Sequence, residues 1–142
     1  MVNENVSEKI FKEKKLEKLI IEKSDQRLAE KIFELLQDSK AEEIVLIDVR
    51  DRSNLADYVF ICEGRSQLHC RGIAENVMFS LKLQGNIHLG IEGESEGNWV
   101  LLDYGNIILH VFHPEIRKYY NLEELYASYQ EKDELNKNNP AN

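Results

Sequence analysis

Apolar residues recur at helical spacing in two segments of the chain. The first segment is residues 24–37, where the apolar positions are Leu28, Ile32, Leu35 and Leu36. The second follows Gly64, where they are Cys70, Ile73, Ala74, Val77, Met78 and Leu81. Spacings of three and four residues place side chains on one side of a helix, so we predict two amphipathic helices packed on a core. Ser66 is expected to cap the second helix and Gly85 to end it.

Other apolar runs have the length and composition of strands. Residues 44–49 and 58–62 are nearly unbroken aliphatic runs, predicted to be largely buried strands, and residues 88–91 are predicted to be a short strand. Residues 97–113 hold two apolar runs that meet at Gly105-Asn106, which predicts a β-hairpin because tight hairpin turns need positive φ. Pro114 suits the first turn of a following helix, whose expected apolar contacts include Tyr119 and Tyr120. Strand, helix and strand in succession indicate a crossover unit within a sheet.

The predicted hairpin contains the only Trp of the chain and two polar residues within its apolar runs. With a two-residue turn, Trp99, Asp103 and His110 share one face, and the other face is apolar or aromatic: Val100, Leu102, Tyr104, Ile107, Leu109 and Val111. A three-residue loop would move His110 to the opposite side. Aromatic bulk beside an acid and an imidazole is typical of an interface centre. The segment is therefore either a binding face or a core hairpin with a satisfied polar pair.

Charge narrows the class of partner. The chain of 142 residues falls in the one-domain range and has a net charge of −8. Residues 38–126 contain 8 basic and 15 acidic residues, whereas residues 1–23 contain 6 basic and 5 acidic residues. An acidic domain is repelled by phosphate backbones, so we expect a basic protein partner and no direct binding to DNA. The sequence has no apolar run long enough to span a membrane and no secretory signal at its N-terminus, so we expect a cytoplasmic protein.

The titratable residues do not form a recognisable catalytic or metal-binding set. None of the four histidines lies at zinc-ligand spacing with Cys62 and Cys70, which are expected to be reduced and buried. Glu92, Glu94 and Glu96 lie in a loop with two glycines and could offer carboxylate oxygens to Mg²⁺ or Ca²⁺. A site for either ion would need more oxygen ligands than these three side chains supply. We therefore expect a protein that is not an enzyme and that binds no cofactor or metal.

Three pieces of the sequence follow one another in a specific order. They are KAEEIVLIDVRDRSNLADYVFICEG at residues 40–64, IAENV at residues 73–77, and LGIEGESEGNWVLLDYGNIILHVFHPEIRKYYNLEELY at residues 89–126. Together they resemble the ribosomal silencing factor family, also called the Iojap or RsfS family. The resemblance defines a domain at residues 24–126. Residues 1–23 are then a charged extension, helical or frayed, and residues 127–142 a polar tail.

The resemblance implies both a fold and a function. The fold is α/β (α+β), a mixed β-sheet flanked by helices, with a nucleotidyltransferase-like topology that lacks the catalytic carboxylates of that fold. The function is a translation repressor that binds ribosomal protein fourteen of the large ribosomal subunit and blocks joining of the small subunit when nutrients are limiting. The family's partner-binding positions fall on Trp99, Tyr104 and His110, and Asp103 joins them from the hairpin. Tyr104 stands where many members have Leu, and its hydroxyl needs a hydrogen-bond partner.

Two other functions remain as alternatives. A nucleotidyltransferase-like enzyme would use Ser66 and nearby acids, and it would need a metal-binding carboxylate pair that the sequence does not show. A self-associating module would pair an exposed aromatic hairpin with a second copy of the chain, and the resemblance implies that free members are often homodimers.

Overall fold

The computed structural model describes residues 24–50 and 56–127. The predictions for residues 1–23 and for the tail from residue 128 onward lie outside the described residues. In chain order the elements are helix α1 (residues 24–38), strands β1 (Glu42–Asp48) and β2 (Tyr58–Glu63), helix α2 (Gln67–Leu83), strands β3 (Gly90–Glu92), β4 (Trp99–Asp103) and β5 (Ile107–Phe112), and helices α3 (Pro114–Tyr120) and α4 (residues 122–127).

The five strands form one mixed sheet in the order β1-β2-β5-β4-β3. Strands β2 and β5 are parallel, and the other neighbouring pairs are antiparallel. From β2 the chain passes through α2 and the β3-β4 pair before it returns as β5, which confirms the predicted crossover. The mixed sheet with flanking helices confirms the predicted α+β class, and the nucleotidyltransferase-like detail stays a prediction.

The sheet separates two apolar layers. Helices α1 and α2 pack on one face, over alternate residues of the strands such as Phe60 and Leu102. Helices α3 and α4 cover the other face, where Ile116 packs near Val59 and Ile61. Strand β2 is buried on both faces, which explains its nearly unbroken apolar sequence.

Both predicted ends of α2 are confirmed. The Ser66 hydroxyl accepts a hydrogen bond from the backbone N–H of His69 at 3.0 Å, so it caps the helix. Gly85 follows the last turn with a φ of +87°, the left-handed conformation that commonly ends a helix. Burial raises the pKa of the Cys62 thiol to about 12, so this cysteine, free and buried like Cys70, stays protonated.

Strand β1 differs from its prediction. It lies at the edge of the sheet and is only partly covered, with Leu46 exposed, so the prediction of a largely buried strand is confirmed for β2 and wrong for β1. An aliphatic run does not reveal whether a strand has one neighbour or two. The short strand predicted at residues 88–91 forms as β3, which begins two residues later and ends one residue later. Among the described residues, no helix is long and apolar enough to cross a membrane.

Candidate partner-binding surface

Gly105 and Asn106 form a two-residue turn between β4 and β5. The N–H of Tyr104 donates to the carbonyl of Ile107 at 2.9 Å and closes the turn. Gly105 has a φ of +85°, which glycine adopts without strain. The two-residue alternative is therefore correct. The strand register places Trp99, Asp103 and His110 together on the face opposite Tyr104.

Asp103 belongs to the turn itself. Its carboxylate accepts a hydrogen bond from the N–H of Gly105 at 2.7 Å, an arrangement that stabilises turns. Its backbone carbonyl accepts a hydrogen bond from the N–H of Leu89 at 2.7 Å, next to β3. Asp103 therefore holds the end of the hairpin in place.

A hydrogen bond joins the side chains of Trp99 and His110. The indole Nε1 donates to the imidazole Nδ1 at 3.0 Å, with the ring centroids 5.8 Å apart. Because an indole N–H can only donate, Nδ1 is the acceptor and the proton of the neutral imidazole lies on Nε2. His110 is 5% exposed, and burial lowers its pKa to about 4. His110 is therefore neutral at pH 7 and orients the Trp99 indole.

The neutral, buried His110 should make the protein less stable in mild acid. The unfolded chain takes up this proton near the ordinary pKa of 6.5, and the folded protein only near pH 4. Between these values the unfolded state binds more protons, so the free energy of unfolding falls as the pH falls, by roughly 3 kcal/mol at most. Urea unfolding of the unchanged protein and of His110→Gln at pH 7 and pH 5 measures this effect. We expect the unchanged protein to lose about 2 kcal/mol more than the variant, and equal losses would contradict the argument.

Aromatic rings extend from the interior to the surface around Trp99. The indole stacks on Phe112 with centroids 4.8 Å apart, and Tyr120 of α3 approaches the same indole at 4.8 Å. Tyr119 meets Tyr120 edge-on at 5.0 Å. Tyr119 is 81% exposed and Tyr120 51% exposed. We call the group of Trp99, His110, Tyr119 and Tyr120 the aromatic surface.

Tyr119 and Tyr120 were missed as site residues by reasoning from the sequence, which assigned both to the apolar contacts of α3. That assignment is wrong for Tyr119, which is largely exposed. Their adjacency could not have identified them, because two consecutive helical residues can both be buried, as Leu35 and Leu36 are in α1. Which side of α3 is exposed depends on its tertiary packing.

Arg117 holds α3 against the sheet. Its Nε donates to the Glu123 carboxylate at 2.6 Å, and its Nη1 donates to the backbone carbonyl of Glu43 at 2.7 Å. The Glu63 carboxylate lies 3.3 Å from Nη1, and the Arg117 side chain is 11% exposed. A mostly buried guanidinium with these partners fixes the helix that carries both surface tyrosines.

Tyr104 lies on the core face, away from Trp99 and His110. Its ring packs against the apolar cluster beneath α1 and α2. The hydroxyl is buried, and no hydrogen-bond partner for it is found among the described residues. Burial raises the pKa of this phenol to about 12. The structure therefore brings Trp99, Asp103 and His110 together on one face and leaves Tyr104 on the other.

Replacing Tyr104 by Phe should stabilise the fold, because it removes a buried hydroxyl that has no hydrogen-bond partner in the described part of the chain. We expect Tyr104→Phe to raise the free energy of unfolding by about 1 kcal/mol in urea titrations. Tyr119→Phe is the matched control, since Tyr119 is exposed, and it should change stability by less than about 0.5 kcal/mol. A loss of stability in Tyr104→Phe would show that the hydroxyl has a stabilising partner.

An acidic loop precedes Trp99 in the chain. The N–H of Gly97 donates to the carbonyl of Gly93 at 3.0 Å and closes the loop, in which Glu92 and Glu96 are exposed. Within the described ranges, no group of three or more His, Cys, Asp or Glu side chains is placed to hold one metal ion. The loop therefore adds negative charge to the approach to β4.

Known proteins are similar to this chain in sequence and in fold. A family model described as "Ribosomal silencing factor during starvation" matches residues 21–142. The chain belongs to the ribosomal silencing factor family. Within the family, the ribosomal silencing factor RsfS of Halalkalibacterium halodurans is 36% identical over 104 residues, which cover 73% of this chain and 89% of that protein.

Two further proteins extend the comparison. A crystal structure of a Chromobacterium violaceum protein superposes with a TM-score of 0.70 at 31% identity, covering 72% of this chain and 85% of that chain. A more distant relative is "Mitochondrial assembly of ribosomal large subunit protein 1" of Mus musculus, 29% identical over 107 residues, which cover 73% of this chain and 47% of that protein. The family match confirms the resemblance and includes every residue of the aromatic surface.

Proposed function

We propose that this ribosomal silencing factor represses translation by binding the large ribosomal subunit and preventing the small subunit from joining it. In this proposal the contact on the large subunit is ribosomal protein fourteen, and repression acts when nutrients are limiting. Membership of the ribosomal silencing factor family supports a ribosome-associated silencing role. The aromatic surface supports the specific contact.

One observation carries the proposal: exposed aromatic side chains rest on a rigid support. Trp99, which is partly exposed, contacts the rings of Phe112 and Tyr120 and donates a hydrogen bond to His110. Aromatic side chains that are already positioned lose little conformational freedom on binding, and Trp and Tyr are the residues most enriched at the energetic centres of interfaces. The aromatic surface therefore has the composition and the rigidity of a protein-binding site.

Each proposed contact residue has a distinct role. Trp99 supplies the apolar anchor, and His110 sets its orientation through the Nε1–Nδ1 hydrogen bond. We place Asp103 and Tyr104 at the margin of the contact, where they support the end of the hairpin. The Asp103 carboxylate accepts a hydrogen bond from the N–H of Gly105, and the Tyr104 ring packs against the apolar core. Tyr119 and Tyr120 extend the contact along α3.

Charge favours a basic partner. Residues 38–126 have a balance of −7, from 8 basic and 15 acidic residues. Opposite charges accelerate the encounter of two proteins and orient them before apolar groups make contact. In the proposal this attraction brings the acidic domain to a basic ribosomal protein, and the aromatic surface then determines the affinity.

The proposed action is steric and needs no catalytic step. The Ser66 hydroxyl, on which an enzymatic alternative would depend, caps α2. We also propose that a second copy of the chain covers the aromatic surface in the free protein, since an exposed apolar surface of this kind favours self-association. Dimer formation and ribosome binding then compete, and light scattering of the free protein at increasing concentration measures the dimer.

The intrinsic fluorescence of Trp99 tests the proposed contact, because this is the only Trp of the chain. Adding a tryptophan-free form of ribosomal protein fourteen should shift the emission to shorter wavelength and reach saturation, since the partner removes water from the indole. Another basic ribosomal protein is the control for charge attraction alone. The proposal fails if ribosomal protein fourteen leaves the emission unchanged, or if both proteins shift it equally.

A further inference from the structure

Four exposed apolar residues lie in the last turns of α2 and in the segment that follows it. Phe79 is 65% exposed and Leu83, one helical turn later, is 74% exposed. These positions lie opposite the buried stripe that includes Val77 and Leu81. The segment after the helix adds two more exposed residues, Ile87 and Leu89. We call Phe79, Leu83, Ile87 and Leu89 the α2-end patch.

The first residues of α1 lie beside the segment that follows α2. Ser24 and Arg27 line a shared depression with Gln84 and Asn86, which directly follow α2. The side chain of Asn106 in the hairpin turn donates to the Asp25 carboxylate at 3.3 Å. Ser24, to which residues 1–23 are connected, therefore lies beside Gln84 and Asn86, the sequence neighbours of Leu83 and Ile87.

Residues 1–23 have the composition to cover such a patch. Besides Met1 they contain eight large apolar residues among their charges: Val2, Val6, Ile10, Phe11, Leu16, Leu19, Ile20 and Ile21. The last three of these lie within five residues of Ser24, which is at most about 17 Å of extended chain. The match to the family model begins at residue 21, so most of this segment lies before the part shared with the family.

We propose that residues 1–23 dock on the α2-end patch of their own chain through Leu16, Leu19 and Ile20. The connection at Ser24 raises the effective concentration of the segment at the patch far above that of a separate molecule, which favours it over a second copy or another protein. The segment has a balance of +1 and the rest of the domain is acidic, so no net repulsion opposes docking. The site lies on the sheet face opposite Trp99, and the inference does not depend on the proposed function.

Photo-crosslinking in the full-length protein tests this docking. Phe79 is replaced by p-benzoylphenylalanine, an aromatic replacement at an exposed position that leaves the core intact. Samples with and without ¹⁵N are mixed before irradiation, so that mass spectrometry separates crosslinks within one chain from crosslinks between chains. We expect the main product to join position 79 to residues 1–23 of the same chain. A main product with a second copy, a main product with another part of the chain, or no crosslink would overturn the proposal.

Two controls sharpen the result. The same photo-reactive residue at Glu115, exposed on α3 across the sheet, should give no crosslink to residues 1–23. The double change Leu19→Glu and Ile20→Glu should reduce the crosslink from position 79 at least fivefold, because both substitutions remove apolar contact area. An unchanged yield in this variant would also overturn the proposal.

Discussion

Trp99→Ala is expected to weaken binding to isolated large ribosomal subunits by about 30-fold or more, which corresponds to roughly 2 kcal/mol. The substitution removes the ring that stacks on Phe112 and contacts Tyr120, and it removes the donor to His110. Truncation of a Trp at the centre of an interface commonly has an effect of this size. Cosedimentation of the protein with large subunits over a range of concentrations measures the change.

A matched control separates this site from general surface effects. Phe33 is also an exposed aromatic residue, but it lies on α1, across the sheet from Trp99, so Phe33→Ala should change the affinity by less than about twofold. Circular dichroism establishes that both variants are folded at the temperature of the assay. Equal affinity of a folded Trp99→Ala variant and the unchanged protein would remove Trp99 from the binding site.

Gly93→Ala is expected to lower the free energy of unfolding by about 3 kcal/mol. Gly93 has a φ of +78°, and a Cβ atom there would lie 1.9 Å from the backbone carbonyl oxygen of Trp99. The clash involves backbone on both sides, so relief requires movement of the acidic loop or of β4. Urea unfolding measures the difference.

The control for this prediction is Gly90→Ala in the neighbouring strand. A Cβ atom at Gly90 meets nothing within 4 Å, so this variant should differ from the unchanged protein by less than about 1 kcal/mol. A loss below 1 kcal/mol in Gly93→Ala as well would mean that the loop adjusts freely. The position of Trp99 would then not depend on the close packing of Gly93 against its backbone carbonyl.

Periodicity predicted the elements whose burial follows directly from their own sequence. The stripe of α2 and the alternation of the hairpin each have one strongly apolar side, and the structure buries those sides. Strand β1 shows the limit of this reasoning, because its apolar run, interrupted only by Asp48, resembles that of β2. Only the order of strands, which no local pattern contains, places β1 at the edge and exposes Leu46.

The site was predictable in part for a similar reason. The spacing of Trp99, Asp103 and His110 predicted a shared face once the turn had two residues, and the hydrogen bond from Trp99 to His110 follows from that register. The resemblance named Tyr104 as a partner-binding position but did not say on which face of the sheet its side chain lies. Strand alternation places that side chain in the core layer. Tyr120 reaches Trp99 through tertiary packing of α3, which depends on Arg117 and on partners as distant in the chain as Glu43.

A subunit-joining assay tests the central claim most directly. Large subunits are incubated with the protein, small subunits are added, and the amount of joined ribosomes is measured on sucrose gradients. We predict that joined ribosomes decrease as the protein is added, that the effect saturates near one protein per large subunit, and that Trp99→Ala has little effect at the same concentration. Comigration of the protein with large subunits that still join small subunits to the same extent would contradict the account.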